Sequence, residues 1–339
     1  MIRSDGCFPL RIKWENGVLV EHNGTKIVLD LQSRSVNCRA AFITHAHVDH
    51  SRAFRVNHLS KFSSEETMKL VSLEGIQADR WRPISLRTKI VIDDIEVTPY
   101  LSGHVLGSYE FKIDTPEGSV LFTGDLNTRD TRTVEPAKPI QCDVLIIEST
   151  FGSPYFVFPS DDTIAGEMVD WANKILSGGK IPVFQADQLG NAQEIVRIFN
   201  ENTDLPIITH WRISRINKVY ESYGYKMEYI NMEDEDAKEL ISRRNAVLVM
   251  PKNLDLSANP EYVSALVSGW ALRIRRRSFP LSDHADFPNL IKFVSECSPK
   301  IVLTYHGGRF NDVLAKYIEK KLDIRAYPID LIPTIFSTK

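Results

Sequence analysis

From residue 10 to residue 43, apolar and polar positions alternate in short runs broken by turn signals. Leu10-Arg11-Ile12, Gly17-Val18-Leu19-Val20 and Lys26-Ile27-Val28-Leu29-Asp30 predict strands, and Asn23-Gly24 predicts a hairpin turn between the last two. Alternation resumes at Ile90-Val91-Ile92, Ile95-Glu96-Val97, Tyr109-Glu110-Phe111-Lys112-Ile113 and Val120-Leu121-Phe122. The unbroken apolar run Val144-Leu145-Ile146-Ile147 predicts a strand buried on both faces. The pattern then changes. Ile164 to Leu176 and Asn191 to Phe199 carry helical periodicity, the second with Ala192, Ile195, Val196 and Phe199 as its apolar stripe. Strand-like Ile181-Pro182-Val183-Phe184 lies between them, followed by Pro206-Ile207-Ile208 and Ala246-Val247-Leu248-Val249-Met250. A last strand at Ile301-Val302-Leu303-Thr304 precedes a helix over 311–321. The fold class is therefore α/β. The simplest organisation is a first domain over 1–150, a smaller parallel α/β domain inserted over 151–267, and a return to the first domain over 268–339.

A chain of 339 residues with 43% apolar and 25% charged residues can bury a substantial core as one large or two moderate domains. Cys7, Cys38, Cys142 and Cys297 are scattered and contain no CxxC pair. Reduced thiols are expected, not a cysteine zinc site or a disulfide framework. No stretch approaches the roughly 20 apolar residues of a membrane span, and the first residues make a poor signal peptide. The cytoplasm is the expected location, with no membrane partner. A net charge of −3 exerts no global pull on nucleic acid. A local basic patch or bound cations would have to supply it. Leu189-Gly190-Asn191 lacks the spacing of a phosphate-binding loop, so no ATP requirement is expected.

The chemistry concentrates where strands end. Thr44-His45-Ala46-His47-Val48-Asp49-His50 follows the apolar run Ala40–Ile43. Continued extended backbone would point His45 and His47 the same way, onto one metal, leaving Asp49 and His50 on the turn for a second. One segment cannot complete two coordination shells. His104 sits between Gly103 and Gly107, Asp125 follows Gly124 after a strand, and His306 precedes Gly307 after another. The expected ledger is His45, His47 and His104 on one metal, Asp49, His50 and His306 on the other, and Asp125 across both. The cofactors are then two divalent metal ions, zinc or manganese, and a hydroxide between them is the expected nucleophile. Asp30, also at a strand end, is expected to orient the histidine loop from behind, with a plain turn carboxylate as its alternative.

These residues resemble the metallo-β-lactamase superfamily. Three further segments are similar to the nucleic-acid-processing β-CASP branch: Glu148-Ser149-Thr150-Phe151-Gly152, Ser282-Asp283-His284-Ala285-Asp286, and His306-Gly307. The resemblance implies an αββα sandwich with an inserted, smaller β-CASP domain. Within the branch, the segments around Glu148, Ser268-Gly269-Trp270, the arginine cluster and Leu281–Phe287 look like the short exonucleases associated with DNA ligases and their archaeal relatives labelled as messenger-RNA 3′-end processing-like factors. That implies single-stranded DNA or RNA as partner, association with a DNA ligase or helicase, and a 5′ to 3′ direction. Two departures stand out: no glycine follows Asp30 in Leu31-Gln32-Ser33-Arg34, and Asn191 stands where relatives often carry a basic residue.

A phosphodiester also needs its leaving oxygen protonated and its other oxygens matched with positive partners. His284 is the candidate general acid and Glu148 the carboxylate that orients it, as the resemblance also implies. Asp49, Asp125, Glu148 and His284 are thus the catalytic candidates. Ser282, Arg273, Arg275, Arg276 and Arg277 are the candidates for holding the substrate backbone. A solvated charged face is the alternative for the arginines. Trp270, Trp211 and Arg212 read either as a stacking surface or as packing within the insertion. The leading expectation is a metal-dependent 5′–3′ exonuclease on single-stranded DNA. An RNA-processing nuclease, a small-molecule metallo-hydrolase and a non-catalytic nucleic-acid scaffold stand as alternatives.

Overall fold

The computed structural model describes residues 10–33 and 36–331. Cys7 and Arg34 lie outside them. The described chain forms two compact units. The first comprises residues up to 129, 136–156 and from 284 onward; the second comprises 130–135 and 157–283.

The first unit holds two sheets. One has β1 (Arg11–Trp14), β2 (Val18–His22), β3 (Thr25–Leu29), β4 (Ala40–Phe42), β5 (Ser60–Ser63) and β6 (Trp81–Pro83), side by side in that order. The hairpin pairs in it are antiparallel, as Asn23-Gly24 dictates, and β3 to β6 run parallel. The other contains β7 (Ile90–Ile92), β8 (Ile95–Leu101), β9 (Tyr109–Thr115), β10 (Gly118–Phe122), β11 (Val144–Glu148) and, from the chain's last third, β18 (Ile301–Tyr305) and β19 (Arg325–Pro328). Its order is β19-β18-β11-β10-β9-β8-β7.

Strand alternation explains the layering. One set of residues, including Val20, Ile27, Phe42, Phe111, Phe122, Ile146 and Leu303, meets between the two sheets. The opposite set faces helices. Leu121, Leu145 and Val302 pack with α6 (Phe287–Cys297) and α7 (Phe310–Leu322), while Leu19, Val28 and Ala41 pack with Phe54 and α1 (Glu65–Ser72). The first unit is an αββα sandwich.

The second unit is a parallel sheet of β12 (Ile181–Ala186), β13 (Ile207–Thr209), β14 (Ile230–Asn231), β15 (Val247–Pro251), β16 (Tyr262–Val267) and β17 (Ser278–Phe279), in the order β14-β13-β15-β12-β16-β17. Its helices are α2 (Asp161–Ser177), α3 (Asn191–Asn202), α4 (Trp211–Ser222) and α5 (Glu235–Ser242). Ser160 caps α2 by accepting from the Thr163 N–H, so this helix starts before its apolar stripe. Arg132 is half-buried among Glu194, Glu201 and Asp162, which ties residues 130–135 into this unit.

The unit boundaries differ from the sequence-derived 151–267. The Phe151 and Phe156 rings pack with centroids 4.9 Å apart, and the Phe156 carbonyl accepts from the Phe287 N–H, so 151–156 stay with the sandwich. At the other side β17 pairs in parallel with β16, which keeps 268–283 with the parallel sheet. No CxxC pair or disulfide forms among the described cysteines: Cys142 and Cys297 are buried thiols and Cys38 is half-buried.

Candidate metal centre

β4 ends at Phe42, and the chain leaves the sheet in a turn where further extended strand was expected. His45 and His47 converge nonetheless, because they present different ring atoms: Nε2 of His45 lies 3.1 Å from Nδ1 of His47. His104 Nε2 lies 3.1 Å from the same Nδ1. Asp125 Oδ2 lies 3.4 Å from His45 Nε2 and 3.6 Å from His104 Nε2. Four donors thus surround one point. Ligands about 2.0–2.2 Å from a tetrahedral zinc stand about 3.3–3.6 Å apart, close to this spacing.

The other Asp125 oxygen, Oδ1, faces a second group. It is 3.6 Å from His50 Nε2 and 3.9 Å from His306 Nε2. Asp49 Oδ2 is 3.6 Å from each of those two nitrogens. His50 Nε2 and Asp125 Oδ1 are buried and make no hydrogen bond. Buried polar atoms aimed at one another without a proton bridge are what a cation site leaves. The sequence-derived metal residues therefore converge as two donor groups sharing Asp125, and this donor set suits a divalent first-row metal.

Behind the ligands lies Asp30. It accepts from the Thr44 N–H at 2.8 Å and the Thr44 hydroxyl at 2.7 Å, and Oδ2 also meets His50 Nδ1 at 2.7 Å. The Thr44 hydroxyl, having donated to Asp30, accepts from His45 Nδ1 at 2.9 Å. One carboxylate thereby fixes the rings of two histidines with both Nε2 atoms forward. Gln32 Nε2 donates to the Asp49 carbonyl at 2.5 Å, so the glycine-less segment after Asp30 braces the turn.

Charge follows the same geometry. Burial, then His50, pushes the His45 imidazole well below its ordinary range. Burial opposes charge on His50 too, but Asp125 and Asp30 overcome it and raise the imidazole to about 10. Burial would lift the Asp125 carboxyl; the surrounding histidines, led by His50 and His306, hold it well below the usual carboxylate range.

Two glycines make the close approaches possible. A Cβ on Gly124, before Asp125, would lie 2.7 Å from the Thr44 side chain, and its φ of +57° is itself unfavourable for other residues. A Cβ on Gly307 would lie 2.1 Å from the Ser149 carbonyl oxygen. His306 has a left-handed φ of +63°. The Asn311 side-chain carbonyl accepts from the Gly307 N–H at 2.8 Å and from the Ser149 hydroxyl at 2.5 Å, holding that turn. Sequence reasoning missed Asn311, since an amide within a helix start carries no ligand signature.

Beside the donors, Glu148 is fully buried at the end of β11. Its Oε1 accepts from the Leu126 N–H at 2.7 Å and faces His284 Nδ1 at 2.8 Å. The Ala285 N–H donates to the Leu126 carbonyl at 2.7 Å, so the His284 segment is laced to the residue after Asp125. Asp286 caps α6 and pairs with Arg129 at 3.0 Å. The His104 and His284 rings lie 4.5 Å apart.

Ser282, Arg273, Arg275, Arg276 and Arg277 belong to the second unit. Ser282 is buried and the four arginines are exposed. Arg277 lies over the Phe279 ring, 4.4 Å from its centroid, and Arg276 lines a polar hollow of about 480 Å³ with Lys252, Tyr262 and Ser264. Trp270 is 38% exposed, and Trp211 carries Arg212 and Arg215 over its ring.

No family model matches the chain. Among individual proteins, it is 30% identical over 283 residues to a probable DNA ligase of Opitutus terrae, covering 79% of this chain and 27% of that protein. It is 29% identical over 240 residues to an RNase J-like protein of Methanocaldococcus jannaschii, covering 60% and 53%. It is 30% identical over 232 residues to the endoribonuclease ysh1 of Emericella nidulans, covering 63% and 25%. The chain spans between a quarter and about half of these relatives. A solved protein of unknown function from Enterococcus faecalis shares the fold, with a TM-score of 0.69 at 13% identity over 97% of this chain and all of that one. With the sandwich, the two donor groups on Asp125, the Glu148–His284 pair and nuclease relatives together, the chain belongs to the β-CASP branch of the metallo-β-lactamase superfamily.

Proposed function

We propose that this protein is a metal-dependent nuclease that hydrolyses phosphodiesters of single-stranded nucleic acid, with DNA cut from the 5′ end as the preferred substrate. One observation carries the reading: the Glu148–His284 pair stands beside an Asp125 carboxylate that serves two donor groups. A small-molecule hydrolase has no need of a second acid–base pair there.

His45, His47, His104 and Asp125 would hold one divalent ion, and Asp49, His50, His306 and Asp125 a second, with zinc or manganese suited to both. When bound, such a pair makes water acidic enough to attack at neutral pH and neutralises phosphoryl oxygens. The remaining tasks fall to the chain. Glu148 holds His284 through Nδ1, stabilises its imidazolium form and leaves Nε2 to carry the proton to the departing oxygen. Asp30 and Thr44 keep the ligand rings in register. The parallel-sheet unit is the inserted substrate-holding domain in this reading, with Ser282 and Arg273, Arg275, Arg276 and Arg277 as its contacts to the strand backbone.

The relatives include proteins named for ribonuclease activity, which favours RNA as the second reading. Association with a DNA ligase is proposed on the ligase-named relative. Linear and circular single strands of DNA and RNA, labelled at either end, separate these readings when incubated with Zn²⁺ or Mn²⁺ beside an Asp125→Asn control. Shortening of linear DNA from the 5′ end with circles spared supports the proposal. Cuts inside circular RNA replace it with an RNA endonuclease. A metal-loaded protein that cleaves no strand overturns it.

A further inference from the structure

The three sheets end in six edge strands among the described residues: β1, β6, β7, β19, β14 and β17. An edge offers unpaired backbone groups to any passing strand, and proteins blunt it with charge, proline or brevity. Five edges here are blunted. β1 carries Arg11 and Lys13, β6 carries Arg82 and Pro83, and β19 carries Arg325 and Pro328. β14 and β17 have two residues each. β7, Ile90-Val91-Ile92, has three residues like β6, but it carries neither charge nor proline, and Val91 is 65% exposed.

Beside β7 the two sheets of the sandwich splay into a cleft of about 580 Å³. Ile84, Ile90 and Ile92 give it an apolar lining, while Arg82 and Lys89 stand at its rim. It opens at Ala40 and Ser60, the first residues of β4 and β5, whereas the metal donors follow the last residue of β4. None of the metal donors lines the cleft.

Its charge is mainly basic: Arg39, Arg82 and Lys89 line it, and the one acid of the lining, Asp93, is paired with Arg39 at 3.5 Å. From Arg80 to Ile92 the chain reads RWRPISLRTKIVI, with four bases and no acid. Arg80, Arg82, Arg87 and Lys89 are all exposed. Lys89 is paired with Glu96, but Arg82 and Arg87 make no ion pair among the described residues. Basic side chains beside an unprotected apolar edge fit a strand whose apolar residues enter the cleft and whose acidic residues meet the arginines. Single-stranded nucleic acid fits less well, because the apolar lining is mainly aliphatic and its one aromatic, Phe62, is buried, where bases would need exposed aromatic faces.

We propose that the β7 edge is a docking site for an extended segment of a partner protein with alternating apolar and acidic residues, which adds to the second sheet as a further strand. The probe is a fluorescent peptide of alternating valine and glutamate, titrated against the full chain by anisotropy. Saturable binding is expected, weakened roughly tenfold or more by Arg82→Glu with Arg87→Glu, by Val91→Asn, and by N-methylation of alternate peptide amides. Unchanged metal content and strand cleavage would show each variant folded. Three results overturn the proposal: no saturable binding, equal binding of the N-methylated peptide, or equal binding of a peptide with the same residues in two blocks. Displacement of the bound peptide by oligothymidylate at stoichiometric concentration would also overturn it and reassign the surface to nucleic acid.

Discussion

Glu148 Oε1 lies 2.8 Å from His284 Nδ1 and accepts the Leu126 N–H with the same oxygen. The carboxylate therefore positions an imidazole against the residue that follows Asp125. His284→Ala should leave metal content near wild type while slowing cleavage by roughly two to four orders of magnitude. Glu148→Gln should retain part of the activity and move the basic limb of its pH profile to lower pH, since a neutral amide no longer favours the imidazolium that acts as acid. Loss of metal from the His284 variant would make it a ligand and remove it from acid catalysis.

Asp125 addresses both donor groups, one oxygen to each. Asp125→Asn should abolish nearly all hydrolysis and lower metal stoichiometry, with the far-ultraviolet circular dichroism unchanged. A variant that cleaves at the wild-type rate would show that the carboxylate bridges nothing of consequence.

His306 holds a left-handed backbone conformation that a β-substituted residue adopts only when its surroundings enforce it. Asn311 supplies that enforcement through the Gly307 N–H. Asn311→Ala should weaken metal binding roughly tenfold, as loss of a supporting partner does, and cost about 1 kcal/mol of stability. Asn311→Asp keeps the acceptor oxygen and should recover most of both. Calorimetric titration with Zn²⁺ and thermal melts read the two effects separately, and identical values for all three proteins would remove Asn311 from the site.

These relationships differ in how far the sequence discloses them. Residues 44–50 are legible because ligands to one metal must be polar, titratable and closely spaced at a strand end. Which ring atom each histidine offers is not, since the turn after Phe42 decides it. Glu148 and His284 stand 136 residues apart, so no local spacing pairs them; the needs of a phosphodiester and the resemblance do. Asn311 acts on a dihedral angle, which no residue type announces. The strands Val144–Glu148 and Ile301–Tyr305 were evident as apolar runs. β5 was not, because Ser-Lys-Phe-Ser buries a lysine whose ammonium donates to the Val56 and Leu59 carbonyls. Polar atoms satisfied internally read as surface in a sequence.

The exposed arginines of the second unit allow a quantitative test of their role in holding substrate. Each phosphate of a single strand that a protein ceases to neutralise lowers the slope of log affinity against log salt by about 0.7. Arg275→Gln with Arg276→Gln should therefore flatten that slope by up to about 1.4 and weaken binding evenly across sequences. An unchanged slope would reduce the cluster to solvated charge.

Glu110 lies on β9 with its side chain fully buried, and neither carboxylate oxygen has a hydrogen-bond partner. Burial pushes its carboxyl well above the ordinary glutamate range. The folded protein thus keeps a proton that the unfolded chain releases at about pH 4.3. Stability from this group is fully present below the unfolded pKa and is lost as pH rises toward the folded one, at about 1.4 kcal/mol per pH unit between them. Paired carboxylates such as Asp125 have the opposite sign, so the whole-protein curve mixes both. The difference between wild type and Glu110→Gln isolates the contribution of Glu110, because the amide cannot ionise. The variant should gain on wild type as pH rises from about 5 to 8 in urea denaturation. Parallel curves would mean that Glu110 is ionised in the folded core with a partner supplied by solvent.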